Sequence, residues 1–393
     1  MRSRLRAVLF VFYNIAVVCA VFGLAEYIAR RETGSPGNRI ELQLDRWAAF
    51  RNNPRYNGNQ VHLNNAGFRA DHDVSPEKPP GVVRIFLLGA SVAYGGETLY
   101  PEIDDRWRID NHHTIDYDLE QRLNAAFPAN RWEVINGAVK GYFLNQDLAL
   151  YLSAVERYHP DYLVLLDGVN DVFATLRSPD DPDTYRLAGL GEEFDGLTGP
   201  ASTSMRLMAS TFLLDHSSLY QSIRERVTRR MQLRARRERV SRAGQNAPTG
   251  LAGMSPDEQR RYRLAVNKID VYMRPVRQIH RLAEMEGTKT LFVLQPQLAL
   301  TRKPLTSIEG RLLDYWSKID GPLYVYGFQT LYPRLSSELA RGSATEGYQF
   351  LDLTGVFDSM SVQTFTDYCH LTPVGDQAVA DAIFDSLAAQ RSR

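Results

Sequence analysis

The stretch "RIFLLGASVAYGG", Arg84–Gly96, decides the fold. Its first half is an unbroken apolar run, the pattern of a strand covered on both faces rather than one face. Its second half is a turn of small residues with one hydroxyl, Ser91, at the bend. Four later runs share the character of the first half: "WEVIN" (132–136), "YLVLLD" (162–167), "TLFVLQ" (290–295) and "YQFLDL" (348–353). Between them lie helical patterns. Ile115, Leu119, Leu123 and Phe127 recur every four residues, Leu144 to Tyr158 forms a second segment, and Val379, Ile383 and Leu387 mark a last one. Strands alternating with helices predict a three-layer α/β/α sandwich around a five-stranded parallel sheet. In such sheets ligands sit beyond the carboxyl ends of the strands, where Ser91, Gly141 and Asn170 all fall.

At 393 residues the chain has room for a large core, and 46 basic residues balance 46 acidic ones. Net charge therefore supplies no attraction to nucleic acid, and none is expected as a partner. The N-terminus departs from this ordinary composition. "AVLFVFYNIAVVCAVFGLAEYIA", Ala7–Ala29, carries no charge before Glu26 and approaches the roughly 20 apolar residues that span a bilayer. The run is long for a signal peptide and lacks a small-residue cleavage site, so an uncleaved anchor is expected. Arg2, Arg4 and Arg6 precede it, whereas Arg30 and Arg31 are diluted by Glu26 and Glu32. That bias favours a single-pass inner-membrane protein whose body is extracytoplasmic, periplasmic or on the outer face.

The expected organisation is an anchor over 1–31, a stem or irregular N-terminal segment over 32–80, and the sandwich over 81–393. The distance from the third strand to the fourth is too long for one crossover and implies a helical insertion over about 175–260. Its centre, Ile223 to Arg242, is rich in Arg with apolar residues interspersed. Such a helix suits an anionic lipid or polysaccharide surface, or equally a solvated face. The two cysteines, Cys19 and Cys369, fall in different compartments of this arrangement, so neither a disulfide framework nor a zinc cluster is expected.

Four short blocks carry the chemistry: "LLGAS" ending at Ser91, "INGAVKGY" with Gly141, "LLDGVND" with Asn170 and Asp171, and "DYCHLTPVG" with Asp367 and His370. Each alone is an ordinary structural feature, but three of them end strands of one sheet and project toward one edge. A serine hydroxyl needs a base, which His370 supplies, and that imidazole needs an acid to hold its tautomer, which Asp367 supplies. A tetrahedral oxyanion needs fixed donors: the N–H of Ser91, the N–H of Gly141 and the side-chain amide of Asn170. Gly137 competes with Gly141, and Gly141 is preferred because it lies beyond the strand end. Tyr94 and Tyr142 follow the blocks directly and either line a substrate subsite or cap the core.

In order and spacing the four blocks resemble the SGNH hydrolases, also called GDSL-type esterases, over about residues 64–388. "NNAGFR" and "PDYLVLLDGVND" resemble membrane-anchored bacterial members. The resemblance implies a flavodoxin-like fold and ester hydrolysis or acyl transfer without metal or cofactor. It implies Ser91 as nucleophile, His370 as base, Asp367 as its orienting acid, and Ser91, Gly141 and Asn170 as oxyanion donors. One position departs from the family pattern, which usually has Asp before the serine where this chain has Ala90. The sequence "GASVA" also lacks the G-x-S-x-G elbow of α/β-hydrolases. The expected activity is removal of O-acyl groups, O-acetyl among them, from a cell-envelope glycan or glycolipid. Acyl transfer by the same residues, lipid ester hydrolysis and a non-catalytic glycan-binding scaffold are the alternatives.

Overall fold

The computed structural model describes residues 2–33, 41–54, 56–58, 60–107, 109–180, 217–242 and 250–391. Five strands form one parallel sheet: β3 (Val82–Gly89), β4 (Arg131–Asn136), β5 (Tyr162–Asp167), β6 (Lys289–Leu294) and β7 (Gln349–Asp352). Their spatial order is β4-β3-β5-β6-β7, and every pairing is parallel. All five apolar runs became strands, with ends shifted by a residue or so. All six residues of β5 are buried, as are the last six of β3, which is why neither run alternates. Each large apolar side chain so covered contributes about 1.5–3 kcal/mol.

The order reverses direction between β3 and β5, and a crevice opens at the carboxyl ends of two such strands because their crossovers leave in opposite directions. Helix α3 (Ile115–Ala126) carries the crossover from β3 to β4 and packs on α11 (Pro373–Arg391). Phe127, the last apolar residue of the expected period, sits just past the end of α3, where the backbone has left the helix at φ −128°. The next crossover is α4 (Leu144–Leu150), continued by a π-helical turn (Tyr151–Val155) and a 3-10 turn to Tyr158. Helices α4, α8 (Ile269–Met285) and α10 (Pro322–Glu346) pack on one another and on β3, β6 and β7. Layers of helices therefore flank the sheet, and the core lies between them.

Before the sheet, α1 (Arg2–Thr33) contains the twenty residues Phe12–Arg31, with mean hydropathy 1.7, long and apolar enough to cross a membrane. Its Phe12, Phe22 and Leu24 are exposed. Residues 41–80 are not detached from the body. A hairpin of β1 (Leu42–Asp45) and β2 (Ala49–Asn52) leads into a segment whose Phe68 and Arg69 are buried, and Asn52 Nδ2 donates to the Ala138 carbonyl at 2.9 Å. Of the insertion, residues 181–216 and 243–249 lie outside the described residues. The rest comprises α5 (Val169–Arg177), the Arg-rich α6 (Ser218–Arg242) and α7 (Pro256–Ala265).

Candidate active site

Three of the four blocks end at the same edge. Ser91 opens the one-turn helix α2 (Ser91–Tyr94) after β3, Gly141 follows β4, and Asn170 lies in the first turn of α5 after β5. The fourth block lies in the loop before α11. There Asp367 is fully buried and saturated with donors. Its Oδ1 accepts the N–H groups of Cys369 and His370, each at 2.8 Å, and its Oδ2 accepts the Leu99 N–H at 2.7 Å. The fourth donor is His370 Nδ1, 2.7 Å from Oδ2. Burial pushes the Asp367 carboxyl up, but His370 and the backbone donors outweigh it and hold the group below its ordinary value. An ionised carboxylate can only accept, so Nδ1 carries the proton and Nε2 carries the lone pair.

That Nε2 faces the nucleophile turn. Gly96 donates its N–H to the Ser91 carbonyl at 2.6 Å, and a Cβ placed on Gly96 would stand 3.1 Å from His370 Nε2 and 3.0 Å from Cδ2. Only a residue without a side chain lets the imidazole edge close on the turn that carries Ser91. The next residues tie the two halves together, because Thr98 Oγ1 donates to the Thr366 carbonyl and the Leu99 N–H to Asp367. Behind Asp367, Glu309 of α9 (Ser307–Asp320) accepts from the N–H of Thr364 at 2.9 Å and pairs with Lys303 at 2.7 Å. Both side chains of that pair are completely buried. Glu309 is also the third residue of a capping box with Thr306, so one carboxylate both starts α9 and fastens the histidine loop.

On the opposite side are backbone donors that none of the described residues uses. Neither the Ser91 nor the Gly141 N–H donates to any group among the described residues, whereas Gly137, the competing glycine, gives its N–H to the Leu87 carbonyl at 2.9 Å. Gly141 adopts φ +81°, a left-handed turn that costs a glycine little. Asn170 Nδ2 donates one hydrogen to the Tyr142 carbonyl at 2.9 Å, which orients the amide and leaves its second N–H available. Ser91, His370, Asp367 and the N–H donors of Ser91, Gly141 and Asn170 are therefore grouped at the carboxyl edge of the sheet.

Tyr94 and Tyr142 do not line a surface; both side chains are completely buried. The Tyr94 ring has the Arg69 guanidinium at 5.0 Å and the Lys140 ammonium at 4.9 Å, and its hydroxyl donates to Glu41 at 2.5 Å. The Tyr142 hydroxyl donates to the Phe50 carbonyl, and its ring meets Phe50 edge-on. The hairpin and the 60–70 segment cover them, so of the two expected roles the structure has the core-capping one and not the substrate-lining one.

Three supporting groups escaped the sequence. Arg69, within "NNAGFR", is buried and donates to the carbonyls of Tyr94, Gly95 and Ile109 and to Asn111 Oδ1, all within 2.9 Å. It thereby clamps the end of the helix that begins at Ser91. Beneath that turn Asp147 Oδ1 accepts the Gly89 N–H at 3.2 Å. Beside it, Asp167 is completely buried; burial first, then the charges of Asp147 and Asp171, push its carboxyl far up.

Asp367, Cys369 and His370 place three potential metal donors within 4.8 Å of one another. The set does not suit a metal: Nδ1 is committed to Asp367, and burial followed by the Asp367 charge pushes the Cys369 thiol far up, away from the thiolate a metal needs.

No family model and no curated protein matches the chain. Among solved structures it is similar to LAE5, an alpha/beta hydrolase enzyme from the metagenome of Lake Arreo, Spain, at 15% identity and TM-score 0.38, covering 77% of this chain and 94% of that one. It is also similar to the acetyl xylan esterase AlAXEase at 12% identity and TM-score 0.37, covering 77% and 99%. A third is the acetylxylan esterase Axe2 from Geobacillus stearothermophilus, at 10% identity and TM-score 0.37, covering 77% and 93%. Likeness at this level assigns no role to any residue. The chain is a three-layer α/β/α protein with Ser91, His370 and Asp367 gathered at the carboxyl edge of a five-stranded parallel sheet.

Proposed function

We propose that the chain is a membrane-tethered serine ester hydrolase of the SGNH type that removes O-acyl groups, O-acetyl being the smallest, from a cell-envelope glycan or glycolipid. One observation carries it: an imidazole held by Asp367 presents its other nitrogen to the Ser91 turn, with N–H donors nearby that have no partner among the described residues. Ser91 attacks the ester carbonyl while His370 Nε2 takes its proton. The oxyanion is held by the N–H groups of Ser91 and Gly141 and by Asn170 Nδ2, and the carbonyl re-forms as His370 protonates the departing alcohol. Water then attacks the acyl-enzyme with His370 again as base, releasing the acid and free Ser91. Preorganised donors stabilise the charge that develops on the oxygen, each contributing about 3–4 kcal/mol to the barrier reduction.

The envelope substrate rests on the apolar helix α1, which carries the body as a single-pass anchor with its basic end in the cytoplasm. The body is then extracytoplasmic, and digestion of spheroplasts with an added protease should cleave it. Purified full-length protein in detergent is expected to hydrolyse p-nitrophenyl acetate and to release acetate from O-acetylated polysaccharide. The S91A variant should do neither. A folded wild-type chain with no turnover on either substrate would leave the hydrolase proposal without support, and acyl transfer to an added acceptor sugar instead of water would redirect it.

A further inference from the structure

Helix α6 joins the apolar helix to the active-site loop. At its start, Glu26 of α1 accepts from Ser217 Oγ at 2.8 Å and from the N–H groups of Ser218 at 2.9 Å and Leu219 at 3.0 Å, capping α6 from another helix. Eighteen residues on, about 27 Å along the axis, Arg236 donates to the Leu99 carbonyl, lies 3.7 Å from Glu102, and stands over the Tyr100 ring at 5.7 Å. Leu99 is the residue whose N–H reaches Asp367. The C-terminal half of α6 thus packs on the catalytic body, with Val240 against the core.

The N-terminal half has a different surface. Ile223, Val227 and Met231 recur every four residues and are 53%, 49% and 67% exposed. Arg226, Arg230 and Arg234 repeat at the same interval, one residue earlier in the turn, and are also exposed. Among the described side chains, neither Arg226 nor Arg230 pairs with a carboxylate. The whole helix holds nine arginines against two glutamates. An apolar stripe bordered by guanidinium groups is unfavourable in water, but on a bilayer the stripe enters the acyl boundary while the arginines reach lipid phosphates.

We propose that the N-terminal half of α6 lies on the surface of a bilayer containing anionic lipid, holding the active-site loop at a fixed distance from the membrane. The occupant follows from continuity, since α6 begins on a residue of the apolar helix, and from charge, since Arg226 and Arg230 have no carboxylate partner among the described side chains and border the exposed apolar stripe. The inference rests on α1 being a membrane anchor. The residues concerned are all outside the catalytic group, so lipid contact and ester hydrolysis are separable.

The test uses the full-length chain in a C19S background, reconstituted into phosphatidylcholine vesicles with and without phosphatidylglycerol. The remaining Cys369 is 3% exposed and takes no label. An environment-sensitive fluorophore is attached at V227C and, separately, at V17C in α1. The expected result is lipid-like emission from the V17C label in both vesicles. Emission from V227C should shift to the blue and rise about two-fold only with phosphatidylglycerol. Adding R226E and R230E, or raising salt until the Debye length falls from about 10 Å to about 3 Å, should abolish that rise. Resistance of the body to limited proteolysis confirms that the R226E/R230E chain is folded. Water-like V227C emission in both vesicles, with V17C in lipid, overturns the assignment and leaves the anchor standing. Water-like V17C emission overturns the anchor and the assignment together, and a V227C response only to added acidic polysaccharide overturns it in favour of a glycan.

Discussion

The histidine loop and the serine turn meet at Gly96 yet are built oppositely. On the histidine side the Asp367 carboxylate is saturated: it accepts four hydrogen bonds, and the buried Lys303–Glu309 pair fastens the backbone behind it. On the serine side the N–H groups of Ser91 and Gly141 have no partner among the described residues, and Asn170 has spent one of its two amide hydrogens. Gly141 is exposed and Ser91 and Asn170 are half-buried, so these donors are accessible to a bound group, while the saturated carboxylate on the other side holds the imidazole in one orientation.

The largest expected effect comes from breaking the saturated side. D367N replaces an acceptor with an amide that can favour the wrong imidazole tautomer, and kcat for p-nitrophenyl acetate should fall by about 10³–10⁴-fold with the fold intact. Activity retained in D367N would remove Asp367 from the role of orienting acid. N170A removes one vacant donor, and a fall in kcat of about 10²–10³-fold with little change in KM is expected. A change confined to KM would make Asn170 a ground-state binder instead.

R69M leaves the Tyr94, Gly95 and Ile109 carbonyls without their buried donor, and thermal or urea unfolding should report a loss of about 2–3 kcal/mol. The smallest effect concerns Asp116, whose carboxyl burial pushes up to about 6, against the Asn136 amide and the Arg69 charge. Its value in the unfolded chain is about 3.9, so the fold disfavours its charged form. Stability should therefore decline as pH rises from about 4 through about 6 and level off above. D116N should flatten that window and gain roughly 2–3 kcal/mol at pH 7, measured by urea unfolding across pH.

The comparison also explains what was legible in the sequence. Five apolar runs disclosed the sheet because each strand is covered on both faces, and the four blocks were legible because three of them end strands at one edge. What supports the serine turn was not. Arg69 acts on backbone groups 25 to 40 residues away, Glu41 on Tyr94 across 53 residues, and Gly96 through the space it leaves for His370. Such contacts have no period and no local composition. Whether Tyr94 and Tyr142 line a subsite or cap the core was not legible, because the hairpin that buries them comes from a segment with the composition of a stem.

The most direct test is active-site labelling of the full-length chain with a fluorophosphonate, followed by peptide mass mapping. A single adduct on Ser91, formed in the wild type and strongly slowed in the H370A variant, is predicted. A folded chain that takes no adduct at Ser91, or takes one equally fast without His370, would contradict the assignment of Ser91 as a nucleophile activated by an Asp367-oriented imidazole.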